Sequence, residues 1–215
     1  MVFNRDIRIT ILGNAGVGKT TLIKRLHGEG ELEIAEKTTV INVEKKKIKL
    51  ESQEGAGRLS KDRYRWYNVI TVDTPGDFTL RRQWRVAMTK YKADGIIFML
   101  DPEQDITIQR SAMEDAFNYF LDSLDMNAQK ADKIARKKKA IFYFVVNKID
   151  ILDPDPEKAK KKAEAFIENF EETLKAYYER FPKGEFRESY ISVIHSPYED
   201  IDKIFERVKL ILYES

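Results

Sequence analysis

Eight consecutive residues, Gly13-Asn14-Ala15-Gly16-Val17-Gly18-Lys19-Thr20, carry three glycines, a lysine and a hydroxyl in the order G-x-x-x-x-G-K-T. That spacing suits one kind of chemistry, the cradling of phosphate. The glycines let the backbone curl until successive N–H groups face an anion, and a helix starting where the loop ends adds the positive end of its dipole. Lys19 is placed to reach the terminal phosphates, Thr20 offers its hydroxyl to a magnesium ion, and Thr21 closes the segment that meets the nucleotide.

A second group selects the base. The apolar run 140–146 ends in Asn147-Lys148-Ile149-Asp150, an N-K-x-D sequence at the end of a strand buried on both faces. The Asp150 carboxylate can accept from both N1–H and the 2-amino group of guanine. Adenine has no matching pair of donors and would leave a half-buried charge unpaired. Asn147 is expected to brace the phosphate loop, and the Lys148 stem to lie over the base. Between the two motifs, Asp73-Thr74-Pro75-Gly76 follows another strand-like run. Asp73 there can hold magnesium through water, and the Gly76 N–H can meet a γ-phosphate.

These groups need a scaffold, and the chain alternates strand and helix patterns as a parallel sheet wrapped by helices does. Strands are expected at 7–12, 39–50, 64–72, 95–100, 140–146 and 189–193, with the second and third antiparallel at one edge. Helices are expected after the phosphate loop, then near 80–92, 107–135, 157–180 and 199–213. Met, Phe and Tyr repeating at helical spacing through 113–121 read as core. The sequence therefore predicts an α/β fold: one domain over 1–215 with a mostly parallel six-stranded sheet, one antiparallel edge strand and helices on both faces.

Composition agrees with one domain. The 215 residues are 42% hydrophobic, enough for a single sizeable core, and 38 basic residues nearly balance 36 acidic ones, so net charge gives no reason to expect a nucleic-acid partner. The basic stretch 129–139 reads as a solvated helix end. The absence of cysteine excludes disulfides and thiol lipidation and fits a reducing, cytoplasmic setting. No run approaches the roughly twenty apolar residues of a membrane span, Val2 rules out N-myristoylation, and no prenylation box ends the chain. Any visit to a membrane would depend on a partner. His27 and His195 have no ligand partners in the sequence pattern.

With the phosphate loop, D-T-P-G and N-K-I-D in this order, the chain resembles the Ras-like small GTPases. The likeness is greatest to the Arf, Sar and signal-recognition-receptor-β branch, with some to Rag and MglA-type proteins. Thr38-Thr39-Val40-Ile41-Asn42-Val43-Glu44 is similar to the Arf switch segment T-I-G-F-N-V-E, and Trp84 stands eight residues after Gly76, as a tryptophan does in Arf-like proteins. The resemblance implies a P-loop GTPase domain that binds GTP or GDP with Mg2+ and acts as a switch through segments near 30–42 and 74–88. Either Thr38 or Thr39 would serve the magnesium and γ-phosphate; counting from Lys19 and aligning N-V-E favours Thr38. Lys19, Thr38, Gly76 and Asp77 form the expected hydrolytic set. Effectors would read Ile41, Val43, Trp66 and Trp84, although these residues, Trp84 above all, equally fit a core role; partners would carry roadblock or longin-type domains, with a monomer or nucleotide-dependent dimer as the assembly.

The departures from that pattern carry as much information. Asp77 stands where many Ras-like proteins have the glutamine that orients water; a carboxylate only accepts, so slow intrinsic hydrolysis is expected, with Arg81, Arg82 or a partner supplying charge. Ala15 places a methyl group near the γ-phosphate. Around Ser192-Val193-Ile194 the S-A-K side chains are missing, so only backbone N–H groups near Val193 and Ile194 are expected to reach the guanine oxygen. The hairpin between the second and third strands is extended over about 50–63 by a polar, glycine-containing insertion, expected to aid partner recognition. Two other roles fit the same residues: a constitutively GTP-bound subunit of a receptor or scaffold, and a ribosome-associated assembly GTPase.

Overall fold

A computed structural model describes residues 5–27, 39–51, 64–197, and positions 200, 201, 203, 204, 206 and 208. Six strands form one sheet: β1 (Arg5–Leu12), β2 (Asn42–Glu51), β3 (Tyr64–Asp73), β4 (Gly95–Leu100), β5 (Ile141–Val146) and β6 (Glu185–Tyr190). Their spatial order is β2-β3-β1-β4-β5-β6. Only β2 runs antiparallel to its neighbour, pairing Asn42 with Asp73 and Glu51 with Tyr64. The sheet is therefore as expected in strand number and direction. Of the insertion expected over about 50–63, Leu50 and Glu51 belong to β2 while 52–63 lie outside the described residues, as do Thr38 and most of the 30–42 segment.

The burial pattern explains the order. β4 and β5 lie in the middle, and every residue of both is buried, which is why their sequences are unbroken apolar runs. Alternation along the strands then feeds two separate cores. Ile7, Ile9, Ile11, Ile97, Met99 and Val145 pack with Leu22 and Ile23 of α1 (Lys19–His27) and with Ile201 and Ile204 near the C-terminus. Ile96, Phe98, Phe142 and Phe144 face the other way, toward α2 (Arg82–Tyr91), α3 (Ile106–Leu124), α4 (Ala128–Ala135), α5 (Pro156–Ile167) and α6 (Glu171–Arg180). Helices thus cover both faces.

Several helix boundaries differ from the sequence expectation, each for a local reason. The 107–135 helix is two helices, because Asp125 is extended and the Asn127 side chain caps α4 by accepting from the Lys130 N–H. The 157–180 helix is divided by a 3-10 turn at Glu168–Phe170. The last strand lies at Glu185–Tyr190 rather than 189–193: Ser192 accepts from the His195 N–H and Ser196 from the Ser192 N–H, which folds that stretch into a turn. The 113–121 pattern is core as expected, with Met113, Phe117, Phe120 and Leu121 buried. Exposed Lys130, Lys133, Arg136 and Lys137 line the solvated end of α4. Among the described residues, no helix is long and apolar enough to cross a membrane.

Phe142 is the hub of the larger core, with ring contacts to Phe120 at 5.4 Å, Phe181 at 4.9 Å and Phe186 at 4.9 Å. Phe142→Ala should lower unfolding free energy by about 3–5 kcal/mol, read as a lower denaturant midpoint at unchanged slope.

Candidate functional site

The motifs converge at the carboxyl ends of β1, β3, β4 and β5, the edge where open α/β sheets place ligands. Gly13 to Gly18 leave β1 and turn into α1 at Lys19, whose first turn holds no acidic residue to oppose an anion. Gly16 and Gly18 have φ of +78° and +94°, open to glycine at little cost. At Gly18 a side chain would also strike the Asn147 carboxamide.

Lys19 is almost fully buried and donates to the carbonyls of Gly13 at 3.0 Å and Asn14 at 2.8 Å. Burial strips water from the ammonium and pulls its pKa down to about 8, with the Asp73 carboxylate opposing. The Thr20 hydroxyl donates to Asp73 Oδ2 at 2.7 Å, so one oxygen from the first turn of α1 and one from the end of β3 lie side by side, the carboxylate buried and the threonine half-buried. That pair fits magnesium, which prefers hard oxygens and keeps water and phosphate for the rest of its shell. Among the described residues no group of three or more His, Cys, Asp or Glu is placed to hold a metal ion.

Asn147 braces the phosphate loop as expected and does more. Its Nδ2 donates to Val17 O at 2.9 Å, while its Oδ1 accepts from the Val193 N–H at 2.8 Å. The second bond bears on the expectation for the fifth loop, because in this structure the Val193 N–H is taken by Asn147. Ser192 is buried and shapes the turn, and Arg25 of α1 donates to Val193 O at 2.7 Å. Asp150 lies in the 3-10 turn Ile149–Ile151, whose Ile149 N–H donates to Ile191 O. His195 has its Nε2 3.8 Å from Asp150 Oδ2.

Lys148 has a left-handed backbone, φ +59°, and its ammonium meets Asp101 Oδ2 at 2.6 Å and Glu103 Oε2 at 3.3 Å. Burial works against that charge, but the bonds and charges of Asp101 and Glu103 outweigh it and hold the pKa above its ordinary value. Asp101 is fully buried at the end of β4 and escaped the sequence reading. So did Gln104, which donates to Ala15 O at 2.8 Å, and buried Gln109, which bonds both the N–H and the carbonyl of Asp101. Their one sequence signal is position, at or just after a strand's carboxyl end.

The D-T-P-G segment also closes on the phosphate loop. Thr74 donates to Ile11 O at 2.7 Å, and a Cβ at Gly76 would run into the Asn14–Ala15 backbone. Asp77 is turned toward its own chain, accepting from the Thr79 N–H at 3.0 Å and hydroxyl at 2.7 Å to cap the turn Phe78–Leu80. Arg82 is exposed, but Arg81 is only 3% exposed. Its guanidinium donates to phosphate-loop Asn14 Oδ1 at 2.9 Å and pairs with Asp115 of α3 at 3.0 Å. Trp84, which fitted either the effector surface or the core, is fully buried, and its indole N–H donates to Pro75 O at 2.6 Å. Val43 is exposed and Ile41 partly so. Thr39 is exposed, while the side chains of Trp66 and His27 lie outside the described set.

A family model described as 50S ribosome-binding GTPase matches residues 8–148, more than half of the chain, from β1 through Lys148 of the N-K-I-D motif. No curated protein matches the chain.

The lowered pKa of Lys19 has a measurable sign. Phosphates favour the ammonium, so above about pH 8 the free protein has lost a proton that nucleotide binding must restore. GDP binding followed by calorimetry in buffers of different ionisation enthalpy should take up more protons at about pH 8.5 than at about pH 7, and affinity should fall across that interval by up to about tenfold per unit. Equal proton uptake at both would contradict the assignment.

Proposed function

Because the chain belongs to the 50S ribosome-binding GTPase family, we propose that it is a guanine-nucleotide switch that binds GTP and GDP with Mg2+ and hydrolyses GTP slowly. The observation that carries this reading is the Asn147 carboxamide, which joins the phosphate loop at Val17 to the fifth loop at Val193 and leaves Asp150 beside them for the base. One nucleotide would thereby contact three loops from separate strands. Slow turnover follows from Asp77, a carboxylate committed to Thr79 where an amide would orient water.

Switching rests on differential contact. Gly76 lies against the Asn14–Ala15 backbone, so a γ-phosphate entering there must displace or engage it, and Thr38 would be drawn in from the first switch segment. Movement at Gly76 reaches Trp84 through Pro75 and Arg81 through the turn at Phe78. Exposed Val40, Val43 and Phe78, the last 71% exposed, supply an apolar effector face, with Trp84 supporting it from within. The T-T-V-I-N-V-E segment and the Trp84 spacing support a place near the Arf-like branch, and with it effectors of roadblock or longin type.

The test is to identify the nucleotide that copurifies, then follow GTP conversion to GDP with magnesium over hours. Bound GDP or slow conversion is the expected result, and bound GTP that never turns over would establish the constitutive subunit instead. Asp150→Asn should weaken GDP binding by about 100-fold and favour xanthine nucleotides, whose 2-oxo group accepts from the new amide. Tight ATP binding by the unaltered protein would overturn the reading. The family's description also favours ribosome association, for which cofractionation with large ribosomal subunits, lost at high salt, is the check.

A further inference from the structure

Gln104 lies on the short connection between β4 and α3, and its backbone is fixed at both ends. Its N–H donates to Asp101 O at 3.0 Å, and its carbonyl accepts from Gln109 Nε2 at 3.1 Å. Gln109 is itself buried and bonded to the Asp101 backbone. From this rigid base the Gln104 Nε2 donates to Ala15 O at 2.8 Å, with Asp101 Oδ2 3.4 Å away. A Cβ on Gly16 would meet the same nitrogen at 3.9 Å.

Ala15 O and the Gly16 N–H belong to one planar trans peptide, so holding the oxygen on the Gln104 side turns the N–H to the opposite side. Gly16 is permissive and imposes no orientation of its own on that plane. The Val17–Gly18 peptide has the same arrangement, with Val17 O held by Asn147. We propose that Gln104 is a positioning residue for GTP hydrolysis: it aims the Gly16 N–H at the phosphates, where charge develops as the terminal phosphoryl group leaves. In that step a water oxygen bonds the γ-phosphorus and the bridging P–O bond breaks. Its electron pair stays on the GDP oxygen, and the water proton passes to the released phosphate. A donor aimed at the bridging oxygen matters most at that moment. With Asp77 engaged at Thr79, the loop's own donors carry more of this stabilisation. The inference rests on the GTPase reading above.

Gln104→Glu keeps the size and replaces the donor by an acceptor. Single-turnover GTP hydrolysis should fall by about tenfold to a hundredfold, while GDP affinity changes by less than about threefold. Lowering the pH should restore part of the rate relative to Gln104→Ala, because a protonated carboxyl donates again. Gln104→Arg, which retains a donor, should keep most of the rate. In protein labelled with 15N-glycine and loaded with GDP, the Gly16 amide resonance should move in Gln104→Glu. Equal rates for Gln104→Glu and the unaltered protein would overturn the proposal. So would rate and GDP affinity falling in the same proportion, or a pH response shared by Gln104→Ala. If Gln104→Glu fails to fold, Gln104→Ala against Gln104→Arg carries the same comparison of rate and affinity. Failure of the unaltered protein to bind GTP would instead remove the functional reading itself, and binding without any turnover would overturn the role of Gln104 together with the hydrolytic part of that reading, leaving GTP binding intact.

Discussion

Carbonyl oxygens of the phosphate loop are held by donors from the loop and helix that follow and from two distant parts of the chain. Lys19 takes those of Gly13 and Asn14, Gln104 that of Ala15, Asn147 that of Val17, and the Leu22 N–H that of Gly18. Peptide planarity converts each such anchor into an orientation of the neighbouring N–H. The sheet order follows from this need: β1 must stand beside β4, and β4 beside β5, for the residues after those strands to reach the loop after β1. The apolar runs that bury β4 and β5 are thus the support for a polar cradle one residue beyond them.

The polar groups at that edge are arranged so that few are left uncompensated. Asp101 has no exposed surface, yet it meets the Lys148 ammonium and its backbone is bonded on both sides by Gln109. Arg81 reaches one phosphate-loop side chain and one α3 carboxylate, and only its Nε lacks a partner among the described residues. Buried pairs of this sort gain from the low dielectric only while every member is satisfied. A displacement of Gly76 or Asn14 therefore changes the environment of a charge rather than of an apolar contact, which makes such a site suited to two discrete states.

The sheet, both apolar middle strands and the three signature motifs were legible in the sequence because each is a local pattern: alternation, an unbroken run, or a fixed spacing. Breaks within the long helices were not, since a capping side chain such as Asn127 competes with helix propensity on nearly even terms. Arg81 was read as a source of charge at the site and Trp84 as either effector surface or core, because a helix pattern does not say which neighbour covers a side chain; α3 and Pro75 do. Gln104, Gln109 and Asp101 carry no motif, and their partners are far away in sequence. The Val193 N–H illustrates the same point, since an analogy in the backbone could not show that Asn147 takes it.

The three loops meeting at Asn147 belong to strands separated by most of the chain, and its carboxamide bonds the phosphate loop on one side and the fifth loop on the other. A ligand seated across them would act as a second tie that the unfolded chain lacks. Mass action then makes the folded population depend on nucleotide supply: occupancy at about a thousand times the dissociation constant adds roughly 4 kcal/mol, comparable with much of a small domain's total stability. For a protein so stabilised the nucleotide pool would set abundance, and the empty form would be the one exposed to proteolysis.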